Sequence, residues 1–254
     1  MKAIVLSAGQ GRRLLPLTTD KPKCLLKVDE DRTVLDVQLE SLARCGVERA
    51  VVVAGFGAHH VERHLDQEPV PGIQVEVLYN PLYAMTDNLT TCWLARHLMN
   101  EDFLLLNGDS LFEDRVLQRV LDARPEPITV TVDHKSEYDD DDMKVSLDEE
   151  GRLLAIGKAL KPEMVNGESI GMLRFRGAGP KIFREALERA IRVPGALDAW
   201  YLSVVNELAQ EVSVDTASVR GFWWREIDDR SDLEDVRSTL PPRAQPEPRL
   251  AALS

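Results

Sequence analysis

Two glycines and two cations near the start of the chain have the spacing expected of a phosphate-binding loop. Gly9 and Gly11 follow a short apolar segment, and Arg13 and Lys23 come after them. Glycine lets the backbone approach an anion closely and present its N–H groups to it. The two cations can neutralise the charge that builds up when one phosphate is attacked and pyrophosphate leaves. The loop therefore predicts a site for the triphosphate of a nucleotide.

This loop does not match the two most familiar glycine-rich motifs. The sequence contains no G-x-x-x-x-G-K-[ST] segment, which a P-loop requires. A dinucleotide-binding fingerprint needs glycine or alanine at a third position, where this chain has Leu14. That departure makes an NAD-dependent oxidoreductase the weakest of the functions considered. A bare G-x-G turn often only lets a strand leave a sheet. The spacing of the cations and prolines that follow the two glycines is therefore what makes this motif distinctive.

Alternating strand and helix patterns predict the scaffold that positions this loop. Apolar runs over residues 2–8, 50–54 and 103–107 are typical of buried strands, and the segments between them carry apolar residues at helical spacing. This order predicts an α/β fold with a Rossmann-like, mostly parallel sheet flanked by helices. Shorter strand patterns around a hairpin signal at residues 149–151 predict a small β-rich region in the second half.

The chain shows no internal repeat and no clear linker, so we predict one domain over residues 1–238. Residues 1–125 form its nucleotide-binding half and residues 126–238 its acceptor-binding half. Residues 240–254 hold four prolines and little periodic pattern. We therefore expect a mobile C-terminal tail over residues 239–254.

The first loop resembles the N-terminal signature of the nucleotidyltransferases that make activated sugars and alcohols, L-A-A-G-x-G-x-R-L-x-P-L-T-x-x-x-P-K. Ser7 replaces the first alanine, and Cys24 stands where the family usually has a small or apolar residue. The resemblance covers about residues 1–238 and implies a fold of the nucleotide-diphospho-sugar transferase type. It also implies that Arg13 binds the β- and γ-phosphates and that Lys23 binds the α-phosphate.

Acidic residues follow two predicted strands at positions where a metal ion could be held. Asp109 comes after the strand at residues 103–107, and Glu226 and Asp228 follow the segment FWWR. Ligands of open α/β sheets lie beyond the carboxyl ends of the strands, and Mg²⁺ prefers carboxylate and phosphate oxygens. A single Asp at a strand end is as readily a turn or cap residue. The resemblance to the family's L-x-G-D and W-x-E-I-D motifs implies that Asp109 and Asp228 bind Mg²⁺, with Glu226 in reserve.

Two asparagines follow the third predicted strand, where a nucleotide base could lie. Asn80 and Asn88 carry amides that both donate and accept hydrogen bonds, as reading a pyrimidine edge requires. Asn88 is equally suited to be a helix N-cap. The resemblance implies that this segment lines the base pocket together with the backbone of Ala8 and Gly9. The residues themselves do not separate cytosine from uracil.

Lysines and aromatic residues of the second half resemble the acceptor site of the family's choline-type branch. Aromatic faces beside a carboxylate suit a quaternary ammonium group, and lysine suits a phosphate. Core packing is the alternative for two of the four aromatic residues at 200, 201, 223 and 224. The residues implied to bind the acceptor are Lys144, Lys158, Asp198, Trp200, Tyr201 and Trp223.

Composition restricts the partners of the chain. A formal net charge of −12 and a pI near 5.0 make nucleic acid and anionic membrane surfaces poor partners. The apolar runs are far shorter than the roughly 20 residues of a membrane span. The three cysteines are unclustered and read as reduced thiols. We therefore expect a cytoplasmic protein, and the oligomeric state stays open.

The predicted reaction is attack by an acceptor's phosphate or phosphonate oxygen on the α-phosphorus of CTP, with Mg²⁺ as cofactor and release of pyrophosphate. Phosphocholine, another phosphoalcohol and a phosphonate are the expected acceptors. One alternative is a sugar-1-phosphate nucleotidyltransferase on the same scaffold. A second alternative, from another class, is a nucleotide-sensing relative without catalysis, which the presence of Arg13, Lys23, Asp109 and Asp228 disfavours.

Overall fold

A computed structural model describes residues 1–243 of the chain. The strands are β1 (Lys2–Ser7), β2 (Arg49–Ala54), β3 (Gln74–Tyr79), β4 (Phe103–Asn107), β5 (Ser110–Phe112), β6 (Ile128–Asp133), β7 (Lys144–Leu147), β8 (Leu153–Ile156), β9 (Gly167–Phe175), β10 (Asp215–Ser218) and β11 (Trp224–Glu226). The helices are α1 (Val34–Arg44), α2 (Ala58–Gln67), α3 (Asn88–Leu94), α4 (Asp114–Leu121), α5 (Gly179–Ala190), α6 (Tyr201–Glu211) and α7 (Arg230–Thr239). The predicted tail begins at the last residue of α7, and its residues 244–254 lie outside the described part.

The central sheet has the strand order β10-β6-β9-β4-β1-β2-β3. Along this path every strand runs parallel to the others except β9, which is antiparallel to both β4 and β6. The hairpin of β7 and β8 attaches through β7 to one end of β9. The mostly parallel α/β sheet predicted from the sequence is confirmed.

Apolar layers cover both faces of the sheet. All six residues of β1 are buried because helices pack on both sides of it. Ile4 belongs to the layer that also contains Phe183 of α5 and Val204 of α6, whereas Val5 belongs to the layer that contains Leu39 of α1. The alternation of side chains along the strand produces this division. The sheet is therefore held rigidly, and the loops at its carboxyl edge start from fixed positions.

A third, smaller apolar cluster ties the N-terminal loop to the C-terminal segment. Leu14, Ile227 and Leu233 are buried in it, together with Leu111 of β5. Leu14 directly follows Arg13, and Ile227 lies between Glu226 and Asp228 in the sequence. Packing of these apolar side chains therefore brings the cations of one loop close to the carboxylates of the other segment.

The two-stranded sheet of β5 and β11 sets the second constraint on the site. The strands pair antiparallel, with Glu226 opposite Ser110. The backbone N–H of Ile227 then donates to the carbonyl of Asp109 across 3.1 Å. Residues more than a hundred positions apart are thereby held side by side.

One fully buried cation stabilises the fold far from the site. Arg174 of β9 donates to the carbonyls of Val120 (2.9 Å) and Leu121 (2.8 Å) at the end of α4. It also donates to the carbonyl of Arg124 and to the hydroxyl of Thr129. The last carbonyls of a helix have no partner within the helix, and a cation there also interacts favourably with the helix dipole.

We expect Arg174→Met to lower the free energy of unfolding by about 3 kcal/mol, because it leaves several buried carbonyls without donors. Urea unfolding followed by circular dichroism measures this loss. Arg176→Met is the control, since Arg176 is exposed and its loss should cost about 0.5 kcal/mol or less. Equal losses in the two variants would show that Arg174 does not cap α4 in this way.

Candidate active site

An open cleft of about 840 Å³ lies at the carboxyl ends of β1 and β4. Open α/β sheets bind their ligands at this edge. The predicted site residues that line the cleft are Ala8, Gly9, Arg13, Asn88, Asp109, Lys158, Trp200, Glu226 and Asp228. Loops from the two ends of the described chain therefore share one cleft.

Lys23 lies next to this cleft between two carboxylates. Its Nζ donates to Asp109 Oδ2 across 2.9 Å and to Asp228 Oδ1 across 3.0 Å. The lysine side chain is only 12% exposed. Burial alone would lower the pKa of Lys23, but the two carboxylates outweigh this effect and raise its pKa. The ammonium therefore remains charged.

Further ion pairs continue from Asp228 across the mouth of the cleft. Arg13 donates to Asp228 Oδ2 at 2.9 Å and to Asp141 Oδ2 at 3.1 Å. Lys158 contacts the other oxygen of Asp141 at 3.2 Å. We call the resulting alternating series the ion-pair chain: Asp109, Lys23, Asp228, Arg13, Asp141 and Lys158. Each predicted phosphate-binding cation in it is held by a carboxylate.

Two glycines allow these side chains to come so close. An added Cβ at Gly108 would lie 2.1 Å from Ser7 Oγ and 2.6 Å from the carbonyl of Leu6, so only glycine lets the residue before Asp109 press against β1. Gly11 has a φ of +72°, and a Cβ there would lie 3.0 Å from Cβ of Lys23. Gly108 thus lets Asp109 lie close to β1, and Gly11 lets the first loop pack against Lys23.

Three carboxylates at the floor of the cleft could hold a metal ion. Asp109, Glu226 and Asp228 each offer an oxygen, and these oxygens lie within 4.8 Å of one another. Asp109 Oδ1 is buried and has no hydrogen-bond partner. A buried acceptor of this kind calls for a partner, and an all-oxygen donor set suits a hard cation such as Mg²⁺. The residues present therefore fit a divalent metal.

Glu226 has a raised pKa. Its side chain is reached by solvent but is enclosed by the walls of the cleft. This enclosure, together with repulsion from Asp109 and Asp228, raises the pKa of Glu226 to about 8.

Further aromatic, acidic and basic side chains line the same cleft. Trp224 Nε1 donates to Asp133 Oδ2 across 2.7 Å. Lys135 lies between Asp142 (2.8 Å) and Glu168 (3.0 Å). These five residues all line the cleft, and acidic side chains outnumber basic ones among them.

Trp200 also lines the cleft, and its ring already contacts a cation. The Nζ of Lys158 lies 4.7 Å from the centre of its ring, within the range of a cation–π contact. The indole N–H of Trp200 donates to Asp87 at 2.9 Å and so fixes the ring.

Five residues implied by the resemblance do not line the cleft, for identifiable reasons. Asn80 is fully buried, where its amide donates to Thr91 and accepts from the N–H of Leu82 in a tight turn. Tyr201 begins α6 in the core, with its hydroxyl 3.1 Å from Asn107 Oδ1.

Among the remaining three, Lys144 is buried and donates to the backbone carbonyl of Lys158 at 3.1 Å. Asp198 lies in a short 3-10 turn outside the cleft. Trp223 packs against the third apolar cluster and donates to Thr239. Gly11 also lies outside the cleft, behind Lys23, where it acts through the packing described above.

The sequence contained a signal for the tryptophan that faces the cleft. Side chains alternate along a strand, so Trp224 shares a face with Glu226 and Asp228, whereas Trp223 points to the other side. Asp133, Lys135 and Glu168 carried no comparable signal, because they come from different strands and loops that meet only in the folded sheet.

A family model described as nucleotidyl transferase matches residues 2–142. The chain belongs to the nucleotidyl transferase family. The matched segment contains the first loop and Asp109, whereas Glu226 and Asp228 lie beyond it. The family assignment thus agrees with the resemblance of the first loop. The structure shows in addition that Glu226 and Asp228, outside the matched segment, lie beside Asp109.

Curated relatives of this nucleotidyl transferase are longer than the chain. A bifunctional IPC transferase and DIPP synthase of Aquifex aeolicus is 26% identical over 246 residues, covering 94% of this chain and 51% of the relative. A CMP-5'-(3-aminopropyl)phosphonate synthase of Streptomyces rubellomurinus is 30% identical over 269 residues, covering 96% of this chain and 40% of the relative. The chain thus spans about half the length, or less, of these relatives.

Solved structures share the fold of this family member. The inositol-1-phosphate CTP transferase of T. maritima superposes with a TM-score of 0.76 at 24% identity, and 93% of this chain matches 94% of that one. Within residues 1–243, none of the helices has the length and apolar character needed to cross a bilayer.

Glu168, which lines the cleft, gives the protein a measurable pH dependence. Burial raises the pKa of Glu168 to about 7, with the neighbouring Asp142 adding to the rise and Lys135 opposing it. An unfolded chain releases this proton near pH 4.5. The contribution of Glu168 to stability is therefore complete below about pH 4.5 and is lost as the pH rises to about 7.

We expect the wild type to lose stability relative to Glu168→Gln across this pH window, because glutamine does not titrate. Thermal unfolding measured from pH 4.5 to 8 gives the difference between the two proteins. Glu163→Gln, at an exposed position, serves as the control and should show no such trend. A constant difference between wild type and Glu168→Gln would contradict the raised pKa.

Proposed function

We propose that this protein is a nucleotidyltransferase that joins a nucleoside triphosphate, with CTP favoured, to a small phosphorylated acceptor and releases pyrophosphate. The observation that carries the proposal is the convergence of Arg13 and Lys23 with Asp109 and Asp228 at the carboxyl edge of the sheet. The names of two similar proteins support CTP, since one is a CTP transferase and another makes a CMP-linked phosphonate.

The chain's own residues supply binding and charge stabilisation for this reaction. Arg13, at the mouth of the cleft, is placed to hold the leaving pyrophosphate, and Lys23 to hold the α-phosphate. Gly9 leaves open space beside the cleft, since an added Cβ there would meet no atom within 4 Å. Asp109 and Asp228, with Glu226, would hold Mg²⁺, which when bound neutralises phosphate charge. An acceptor phosphate is already anionic, so positioning and electrostatics suffice without a strong base.

The aromatic and charged lining of the cleft favours an acceptor that carries both a phosphate and an amine. Lys158 can receive the phosphate, and its present place over the ring of Trp200 is one that another cation can take. The carboxylates of Asp133 and Glu168 line the same cleft and can attract an amine. These contacts suit phosphocholine, another amine-bearing phosphoalcohol or an aminophosphonate better than a neutral sugar phosphate. A triphosphate substrate also agrees with the cytoplasmic location expected from the sequence.

A pyrophosphate-release screen tests the proposal. The full chain is incubated with Mg²⁺, each of the four common nucleoside triphosphates, and a panel of phosphocholine, phosphoethanolamine, 2-aminoethylphosphonate, inositol 1-phosphate and glucose 1-phosphate. We expect release with CTP and the amine-bearing acceptors. Release confined to glucose 1-phosphate would support the sugar-nucleotide alternative. Nucleotide binding without release from any pair would support a sensing relative.

We expect Lys23→Ala to leave the fold intact and to lower turnover by about 100-fold or more, the range seen when one donor to a developing oxyanion is lost. Pyrophosphate release measures turnover, and circular dichroism verifies folding. Lys27→Ala removes an equal charge from an exposed lysine outside the cleft and should keep wild-type turnover. Wild-type turnover of Lys23→Ala would remove Lys23 from the mechanism.

A further inference from the structure

Lys23 occupies the very oxygens that a metal ion would use. Its ammonium contacts one oxygen of Asp109 and one of Asp228, and Arg13 takes the second oxygen of Asp228. Three of the four oxygens of these two carboxylates are thus engaged by protein cations. The fourth, Asp109 Oδ1, is the buried one without a partner.

We propose that Lys23 is the resident counter-ion of the acidic cluster and excludes a divalent metal until a nucleotide draws it away. The inference rests on the proposed function only in taking Asp109, Glu226 and Asp228 as the metal site. It adds that the nucleotide-free protein binds metal weakly, and that metal binding is coupled to departure of the lysine.

Electrostatics explains why the lysine and the metal compete. The ammonium of Lys23 lies between the two carboxylates, 2.9 Å from Asp109 Oδ2 and 3.0 Å from Asp228 Oδ1. A second cation bound to the same oxygens would lie within a few ångströms of the ammonium, where like charges repel strongly at reduced dielectric. A metal ion therefore binds only after the ammonium moves, or not at all.

A triphosphate removes this conflict because it offers Lys23 another anionic partner. Lysine has a flexible stem that can carry its ammonium from one anion to the next. Once the ammonium contacts a phosphate, the oxygens of Asp109 and Asp228 are free for the metal. Each exchange makes the other easier, so nucleotide and metal bind with positive coupling, and the coupling is reciprocal.

The test measures Mn²⁺ binding to the nucleotide-free full chain by electron paramagnetic resonance. We expect Lys23→Met to bind Mn²⁺ about tenfold to a hundredfold more tightly than the wild type, since the substitution removes one nearby positive charge. Lys27→Met is the matched control, because it removes an equal charge from an exposed lysine, and it should bind as the wild type does. Lys23→Arg keeps a cation and should remain weak.

A double variant tests whether the bound Mn²⁺ lies in the acidic cluster. Adding Asp109→Asn to Lys23→Met should abolish the gain if the ion lies in the acidic cluster. Lys23→Gln replaces Lys23→Met if circular dichroism shows that the latter is unfolded. Weak binding by both neutral variants, or equal tightening in Lys27→Met, would overturn the inference while leaving the proposed reaction intact. Failure of the wild type to bind Mn²⁺ even with CTP present would overturn the proposed metal site as well.

Discussion

The ammonium of Lys23 between the carboxylates of Asp109 and Asp228 is the contact on which the layout of the site depends. The three residues come from the first loop, from the turn after β4 and from the segment after β11. Each charge would be costly to enclose alone, and together they neutralise one another. The same arrangement keeps the cations and the carboxylate oxygens of the proposed metal site in one place. Under the proposed function, a triphosphate with its metal would replace each internal ion pair.

Apolar packing and backbone pairing hold these charges in register. Leu14 and Ile227 are buried in one cluster beside Arg13 and Asp228, so the loop and the C-terminal segment cannot separate without exposing that cluster. The pairing of β5 with β11 extends to the hydrogen bond between Ile227 and Asp109. Ion pairs near a surface contribute little stability, so the apolar cluster and the sheet supply most of the order that the charged residues use.

Sequence patterns predicted the features that depend on local spacing. The buried runs of β1, β2 and β4 predicted the parallel sheet, and the loop and the G-D turn pointed to Lys23 and Asp109. Contacts between distant segments left no such pattern. The short strand β5 exists because β11 lies beside it, Asn80 is taken up by a turn, and Tyr201 is drawn into the core at the start of α6. The cluster of Asp133, Asp142 and Glu168 in the cleft likewise arises from segments that meet only in the fold.

A double-mutant cycle on kcat/KM between Lys23→Ala and Asp109→Ala tests most directly whether the loop and the carboxylates act on one triphosphate and metal assembly. Residues that act as a unit give strongly non-additive effects. The account predicts that the double variant is no more than about threefold worse than the poorer single variant. Losses that multiply, as they do for independent sites, would contradict it.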